Sequence, residues 1–456
     1  MTPPRTIRIG CGAGSWGDDV GASRMLLEHA ELDYLVLDYL AEVTLSIMRR
    51  QMDHHPSSGY ATDFLTVLGD VLPFVTARGT KIVTNAGGLN PQACASAISA
   101  LLEQAGLAGE VKVAVVDGDD LMPSLNDIAG QADLGNIDDG RSFDLVRGRV
   151  VSANAYLGAG PIRDALDLGA DIVVTGRCVD MALALGPLMH EFGWATTNYD
   201  LLAVGAVAGH LLECGAQSTG GNHHDWENVR GLENLSYPIV EVGADGSLVL
   251  TKAADLGGVV NTRTTTEQLL HEIFDPKAVL SPDVSVDWTT IQLTDLGGDR
   301  VAISSVKGSP PPDTLKVSII YQDGYRVILT WPYAWPAADK KAAATLRNIE
   351  HTVARLGLDI EASRSDVFGT GAILGDRVAV LANKVAEPLE VFARYAARTN
   401  SRQDAERLAS LQAPMHYGPA GLAGSLAGGK GQLAPIYTHW PTLVPSALIT
   451  KNVRIV

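Results

Sequence analysis

Six short runs of strand-forming character recur through roughly the first 190 residues: Thr6–Cys11, Tyr34–Tyr39, Lys81–Asn85, Val111–Asp117, Val150–Ala153 and Asp171–Thr175. Between most of them lie Ala/Leu-rich segments of helical period, such as Pro91–Gln104 and Pro161–Leu168. Strands that alternate with helices imply mainly parallel pairing, because each helix carries the chain back to the end of the sheet where the previous strand began. Both faces of such a sheet are then covered. Five or six such units fall short of an eight-stranded barrel. The expected fold is α/β, with an open, mainly parallel, doubly wound sheet.

Beyond residue 196 the pattern is helical and then loop-like, which closes a predicted ligand-binding domain at residues 1–232. Residues 233–335 read as a β-rich connecting segment, with short strands such as Pro238–Val242 and Leu248–Leu250 set around Asp-Gly and Gly-Gly turns. Leu315–Gln322 and Tyr325–Trp331, joined by Asp323-Gly324, read as a hairpin. Residues 336–456 read as an α+β region of candidate ferredoxin-like order: helix Ala337–Leu356, strand Leu389–Ala397, helix Ser401–Leu411 and strand Ile436–Leu443. The six glycines of Pro414–Gln432 mark a candidate mobile loop.

The net charge of −17 argues against nucleic acid and anionic membranes as partners. No signal-peptide core or membrane-length apolar run stands out, so the expectation is a cytoplasmic protein that forms homo-oligomers. Cys11, Cys94, Cys178 and Cys214 form no CxxC pair, which disfavours a disulfide scaffold or structural zinc.

The first strand runs into Gly10-Cys11-Gly12-Ala13-Gly14-Ser15. Glycines between a strand and a helix suit close backbone approach to an anion. Ser15 stands where the dinucleotide fingerprint needs its last glycine, so a nucleotide site and a tight structural turn both remain open. Ligands of open parallel sheets lie beyond the carboxyl ends of the strands. Those ends carry Asp38 with Glu42 a turn later, Asn85, Asp117, Asn154 and Arg177. A carboxylate to move a proton, an amide to orient, and an arginine to hold an oxyanion are the groups that proton transfer beside a carbonyl requires. Several of the strand-end acids, Asp18, Asp19, Asp120 and Asp180, read equally well as helix caps.

A second constellation follows in Gly209–Asp225. His210 and Glu213 share a helix face, Gln217 lies one turn on, and Thr219-Gly220 breaks the helix before His223. An acid/base pair, a divalent-metal site built on His210, Glu213 and His223, and plain structure all fit this pattern; HExxH spacing is absent. No G-x-S-x-G occurs, which removes the common serine-hydrolase reading. Gly428-Gly429-Lys430-Gly431 has no strand before it, so it is not a P-loop.

Taken in order, Ile9–Asp18, Asp33–Thr44, Ile82–Pro91, Val115–Asp120, Ala153–Pro161, Asp171–Asp180, His190–Trp194, Gly209–Gly221, Pro312–Val317 and the W-P-x-L-V-P element Trp440–Pro445 resemble the acyclic terpene utilisation AtuA family. Asp19 and Asp38 stand where members often carry Arg and Glu, and Asn222-His223-His224 replaces a more aromatic pair. The resemblance implies a role in catabolism of branched isoprenoid acids as coenzyme A thioesters or hydroxy acids. The expected enzyme is of lyase or hydratase type, acting by hydration, dehydration or C–C cleavage. Asp38, Glu42, His210 and Glu213 are its candidate acid/base groups. Gly12, Gly14, Asn85, Asp117, Asn154, Arg177, Gln217, Thr219 and Gly220 are the candidate substrate contacts. The alternatives are a metal-dependent hydrolase or lyase, and a non-catalytic partner subunit of a biotin-dependent acyl-CoA carboxylase.

Overall fold

The computed structural model describes residues 5–373, 388–417 and 428–456. The first part of the chain folds as β1 (Thr6–Ala13), β2 (Tyr34–Leu37), β3 (Lys81–Thr84), β4 (Val113–Asp117), β5 (Val150–Ala155) and β6 (Ile172–Thr175). The intervening helices are α1 (Ala22–His29), α2 (Glu42–His54), α3 (Asp63–Arg78), α4 (Pro91–Gln104), α5 (Leu125–Ala129) and α6 (Gly160–Asp167). Next come α7 (Ala182–Phe192) and α8 (Tyr199–Leu212). Local chemistry sets several ends. Asn90 accepts the Ala93 N–H at the start of α4, with Pro91 in the first turn, and Gly79 closes α3 at φ +71°.

β7 (Pro238–Gly243) and β8 (Leu248–Lys252) are followed by α9 (Thr262–Leu269), then β9 (Val279–Leu280), β10 (Ser285–Asp287), β11 (Gln292–Asp295), β12 (Val301–Ser304) and β13 (Lys307–Ser309). The C-terminal part holds β14 (Thr314–Ala334), α10 (Ala338–Leu356), β15 (Ala362–Phe368), β16 (Glu390–Thr399), α11 (Arg402–Ala409), β17 (Gln432–Pro445) and β18 (Asn452–Ile455).

The fold is mixed α/β. One ten-stranded sheet has the order β11-β12-β8-β7-β1-β2-β3-β6-β4-β18. Its centre, β1-β2-β3-β6-β4, is parallel. β2 and β6 are buried at every residue, as strands covered on both faces must be. The flanks are antiparallel, so the sheet is mixed rather than mainly parallel. The reason is connection length. The Asp245-Gly246 and Gly297-Gly298 turns are too short for a crossover and fold β7-β8 and β11-β12 back as hairpins.

Two further sequence expectations are corrected. β5 leaves the large sheet and pairs with β14. The hairpin expected at Asp323-Gly324 does not form, because β14 runs continuously from Thr314 to Ala334. Tyr156 donates its N–H to the Lys316 carbonyl (2.9 Å) in the first half, and β16 takes Tyr325–Ala334 in the second. Gly324, at φ +85°, absorbs an irregular step where a Cβ would lie 2.7 Å from the Thr399 carbonyl oxygen.

The chain divides into two compact units, Met1–Ile320 with His439–Val456, and Tyr321–Thr438. In the second, alternate residues of β14 and β16 (Val327, Leu329, Trp331, Ala393, Tyr395) form a core with Leu346 and Ile349 of α10. Most of the Pro414–Gln432 glycine segment lies outside the described residues.

Candidate functional site

The carboxyl ends of β2, β3 and β6 bring Asp38, Asn85 and Arg177 together in the first unit. Asp38 is 6% exposed and accepts from Asn85 Nδ2 (2.6 Å) and from the Leu40 N–H (3.1 Å) on one oxygen. Asn85 Oδ1 in turn accepts the Tyr39 N–H, so the amide orientation is fixed by its partners. Burial, then the charge of Asp180, pushes the Asp38 carboxyl well above the usual range, and Arg177 and Asn85 do not offset it. Burial and the neighbouring Asp180 thus favour the protonated form of Asp38.

Arg177 is 2% exposed and donates to Asp180 and to the Leu40 carbonyl, each at 2.7 Å. Its guanidinium lies 4.2 Å from the Tyr156 ring centroid, and Lys316 Nζ lies 4.8 Å from the same centroid. Glu42 opens α2 and receives both Tyr156 Oη (2.6 Å) and Lys316 Nζ (3.0 Å). Burial disfavours its charge, but Tyr156, Lys316 and Arg177 together hold the Glu42 carboxylate well below its ordinary range.

Asp119 anchors this group from below. Its Oδ2 accepts the Arg177 N–H and Asn154 Nδ2, each at 2.8 Å. Gly176 makes room for it, since a Cβ there would lie 2.2 Å from Asp119 Oδ1. Burial lifts the Asp119 carboxyl to about 7 against these two bonds.

His210 and Glu213 do form a pair, with Nδ1 and Oε1 2.8 Å apart. His210 Nε2 faces the Gln268 carbonyl at 2.8 Å, which requires a proton on that nitrogen. The Nδ1–Glu213 contact then needs a second proton, on one partner or the other. Burial lifts Glu213; on His210 burial pulls down, but the charge and hydrogen bond of Glu213 outweigh it and the net shift is upward. The pair thus retains a proton. Asp38, Asp180 and Glu213 line one cavity of about 10 Å³, together with Ala13, Val36 and Leu212.

The family model for the acyclic terpene utilisation family protein AtuA matches residues 7–455. The chain belongs to this family. No curated protein and no solved structure matches it.

Other sequence candidates of this AtuA-family protein have different surroundings. Asp117 is engaged by β18, through Asn452 (2.9 Å) and Arg454. A Cβ on Gly12 would lie 2.6 Å from Ser23 Oγ, and one on Gly14 would lie 2.3 Å from the Gly215 nitrogen. These glycines admit neighbouring protein at van der Waals range. Gln217 donates to Gln268 Oε1 (3.0 Å), Thr219 to the Ser236 carbonyl (2.5 Å), and Gly220 turns the chain at φ +104°. His223 pairs with Glu267 at 2.6 Å. Among the described residues, no group of three or more His, Cys, Asp or Glu side chains is placed to hold a metal ion, and no helix is long and apolar enough to cross a membrane.

Sequence reasoning did not single out Tyr156, Lys316 or Asp119. Tyr156 and Lys316 lie inside stretches that carry the family resemblance, but their adjacency depends on the β5–β14 pairing, which no local pattern encodes.

Proposed function

We propose that this protein is an acid–base enzyme that adds or removes water beside the carbonyl of a branched, isoprenoid-type acyl compound, presented as a coenzyme A thioester or a free hydroxy acid. The observation that carries the reading is the cavity of about 10 Å³ lined by Asp38, Asp180 and Glu213. That is the space of one water molecule set among groups that hold and release protons. The family's name supports the substrate class.

In hydration, with the shared proton resting on His210, the Glu213 carboxylate takes one proton from water, the water oxygen bonds to the carbon β to the carbonyl as the α,β double bond opens, and Asp38 delivers a proton to the α-carbon. Dehydration reverses each step. Arg177 offsets negative charge that develops on the carbonyl oxygen. Glu42, held ionised, positions Tyr156 and Lys316 and carries no proton in this scheme. The β14-α10-β15-β16-α11-β17 sequence, with strand order β15-β16-β14-β17, supports a ferredoxin-like reading of the second unit.

The test is incubation with branched enoyl- and hydroxyacyl-CoA thioesters and the free acids in heavy-oxygen water, followed by mass spectrometry. The expected product gains or loses one water, with solvent oxygen in the hydrated species. Asp38→Asn is expected to slow this by about 10²–10⁴-fold with an unchanged circular dichroism spectrum. If every compound returns unchanged and none binds, the reading is wrong.

A further inference from the structure

Several buried polar atoms of the first unit have no hydrogen-bond partner among the described residues, and a group of them lies on neighbouring strands. They are Ser152 Oγ and Asn154 Oδ1 on β5, Ser318 Oγ on β14, His439 Nε2 on β17, and Arg177 Nε just after β6. A buried polar atom left unpaired costs free energy, so such a cluster calls for an occupant with matching groups. Alternation along β5 puts Ser152, Asn154 and Tyr156 on one face, and along β14 puts Lys316 and Ser318 on one face. The Tyr156–Lys316 backbone bond and the Lys316 ammonium over the Tyr156 ring show that these faces are shared. Asn154 and Arg177 are fixed side by side, because both hold the same oxygen of Asp119.

The free atoms differ in sense. Asn154 Nδ2 donates to Asp119, and its Oδ1 is left as an acceptor that needs an O–H or N–H. Arg177 Nε is a donor only. Burial lowers the proton affinity of His439, which leaves a neutral ring able to donate or accept. A simple carboxylate would satisfy the arginine and leave the asparagine unpaired. A hydroxyl on the carbon β to a carboxyl or thioester carbonyl satisfies both.

We propose that this face of β5 and β14 recognises a hydroxy acid or its thioester, the hydroxyl donating to Asn154 Oδ1 and an acyl oxygen accepting from Arg177 Nε, with Lys316 at the outer end. The inference rests on the reading given under Proposed function and adds the feature by which the substrate is selected: a hydroxyl on the carbon β to the acyl carbonyl.

The experiment compares binding, by titration calorimetry, of β-hydroxyisovalerate and isovalerate and of their coenzyme A thioesters. The hydroxy member of each pair is expected to bind about tenfold tighter or better, as a site that must pair its buried polar groups discriminates. Asn154→Ala is expected to abolish that preference. Ser318→Ala, which removes only the unpartnered hydroxyl, is a second variant; it is expected to reduce the preference severalfold. Equal binding of the hydroxy and deoxy members, no binding of any of the four, or a preference unaltered in both variants overturns the proposal. A clear preference without any turnover overturns the acid–base reading alone, whereas turnover without a preference overturns the recognition proposal alone.

Discussion

Asp119→Asn gives the most direct reading of how burial and hydrogen bonding compete beneath Arg177. Asp119 is 2% exposed and its carboxyl rises from 3.8 to about 7 on folding, chiefly through burial, despite bonds from the Arg177 N–H and Asn154. A folded value above the unfolded one means that the folded state binds the proton more tightly. The associated stability is complete below the unfolded value and is lost as pH rises through the folded one. At about 1.4 kcal/mol per pH unit between the two values, the group contributes about 4 kcal/mol in all. Between about pH 5 and pH 8, roughly 2.5 kcal/mol of that is lost. Asparagine mimics the protonated acid: its carbonyl oxygen accepts both bonds and it does not titrate. Urea denaturation of wild type and variant across this range is expected to show the two stabilities diverging by about 2.5 kcal/mol in favour of the variant as pH rises. Parallel curves, or a variant that loses ground at high pH, would refute the argument that burial dominates at this carboxyl.

Arg177→Ala leaves Asp180 without its buried cation and is expected to cost about 3–5 kcal/mol, read as a lower denaturation midpoint. Gly12→Ala is expected to lower stability by about 1–3 kcal/mol through its contact with Ser23 and Leu37, measured by thermal unfolding with no loss specific to ligand binding. Burial pushes the thiols of Cys94 and Cys214 up to about 12 and lifts Cys11 and Cys178 as well. Thiol reagents at about pH 8 should therefore find no fast-reacting cysteine in the native protein and all of them after denaturation. Glu42→Gln weakens the hold on Lys316 and Tyr156 and is expected to change substrate affinity more than turnover, as a KM-against-kcat split would show.

Elements whose partners are near in sequence were legible; those defined by distant partners were not. β1, β2, β3, β4 and β6 lie within a few residues of the runs that predict them, because a strand buried on both faces must be apolar throughout. The same rule placed Asp38, Asn85 and Arg177 at strand ends that converge. Asp323-Gly324 misled because a turn dipeptide reports what the backbone permits and says nothing of which strand competes for the flanking hydrogen bonds; β5 and β16 won. The glycine run after β1 is similar. Its composition signals close approach, while the approaching group is the chain itself at Ser23 and Gly215.

The sequence by itself determined the family, the alternation that builds a parallel core, and the candidate groups Asp38, Asn85, Asn154, Arg177, His210 and Glu213, since composition, period and residue order are local properties. Only the tertiary structure decided their electrostatic states and their neighbours. Whether Asp38 favours its proton, Glu42 loses one, or Lys316 meets Tyr156 depends on burial and on strands far apart in the sequence. Desolvation and charge–charge energies depend on three-dimensional distance, which sequence separation does not fix.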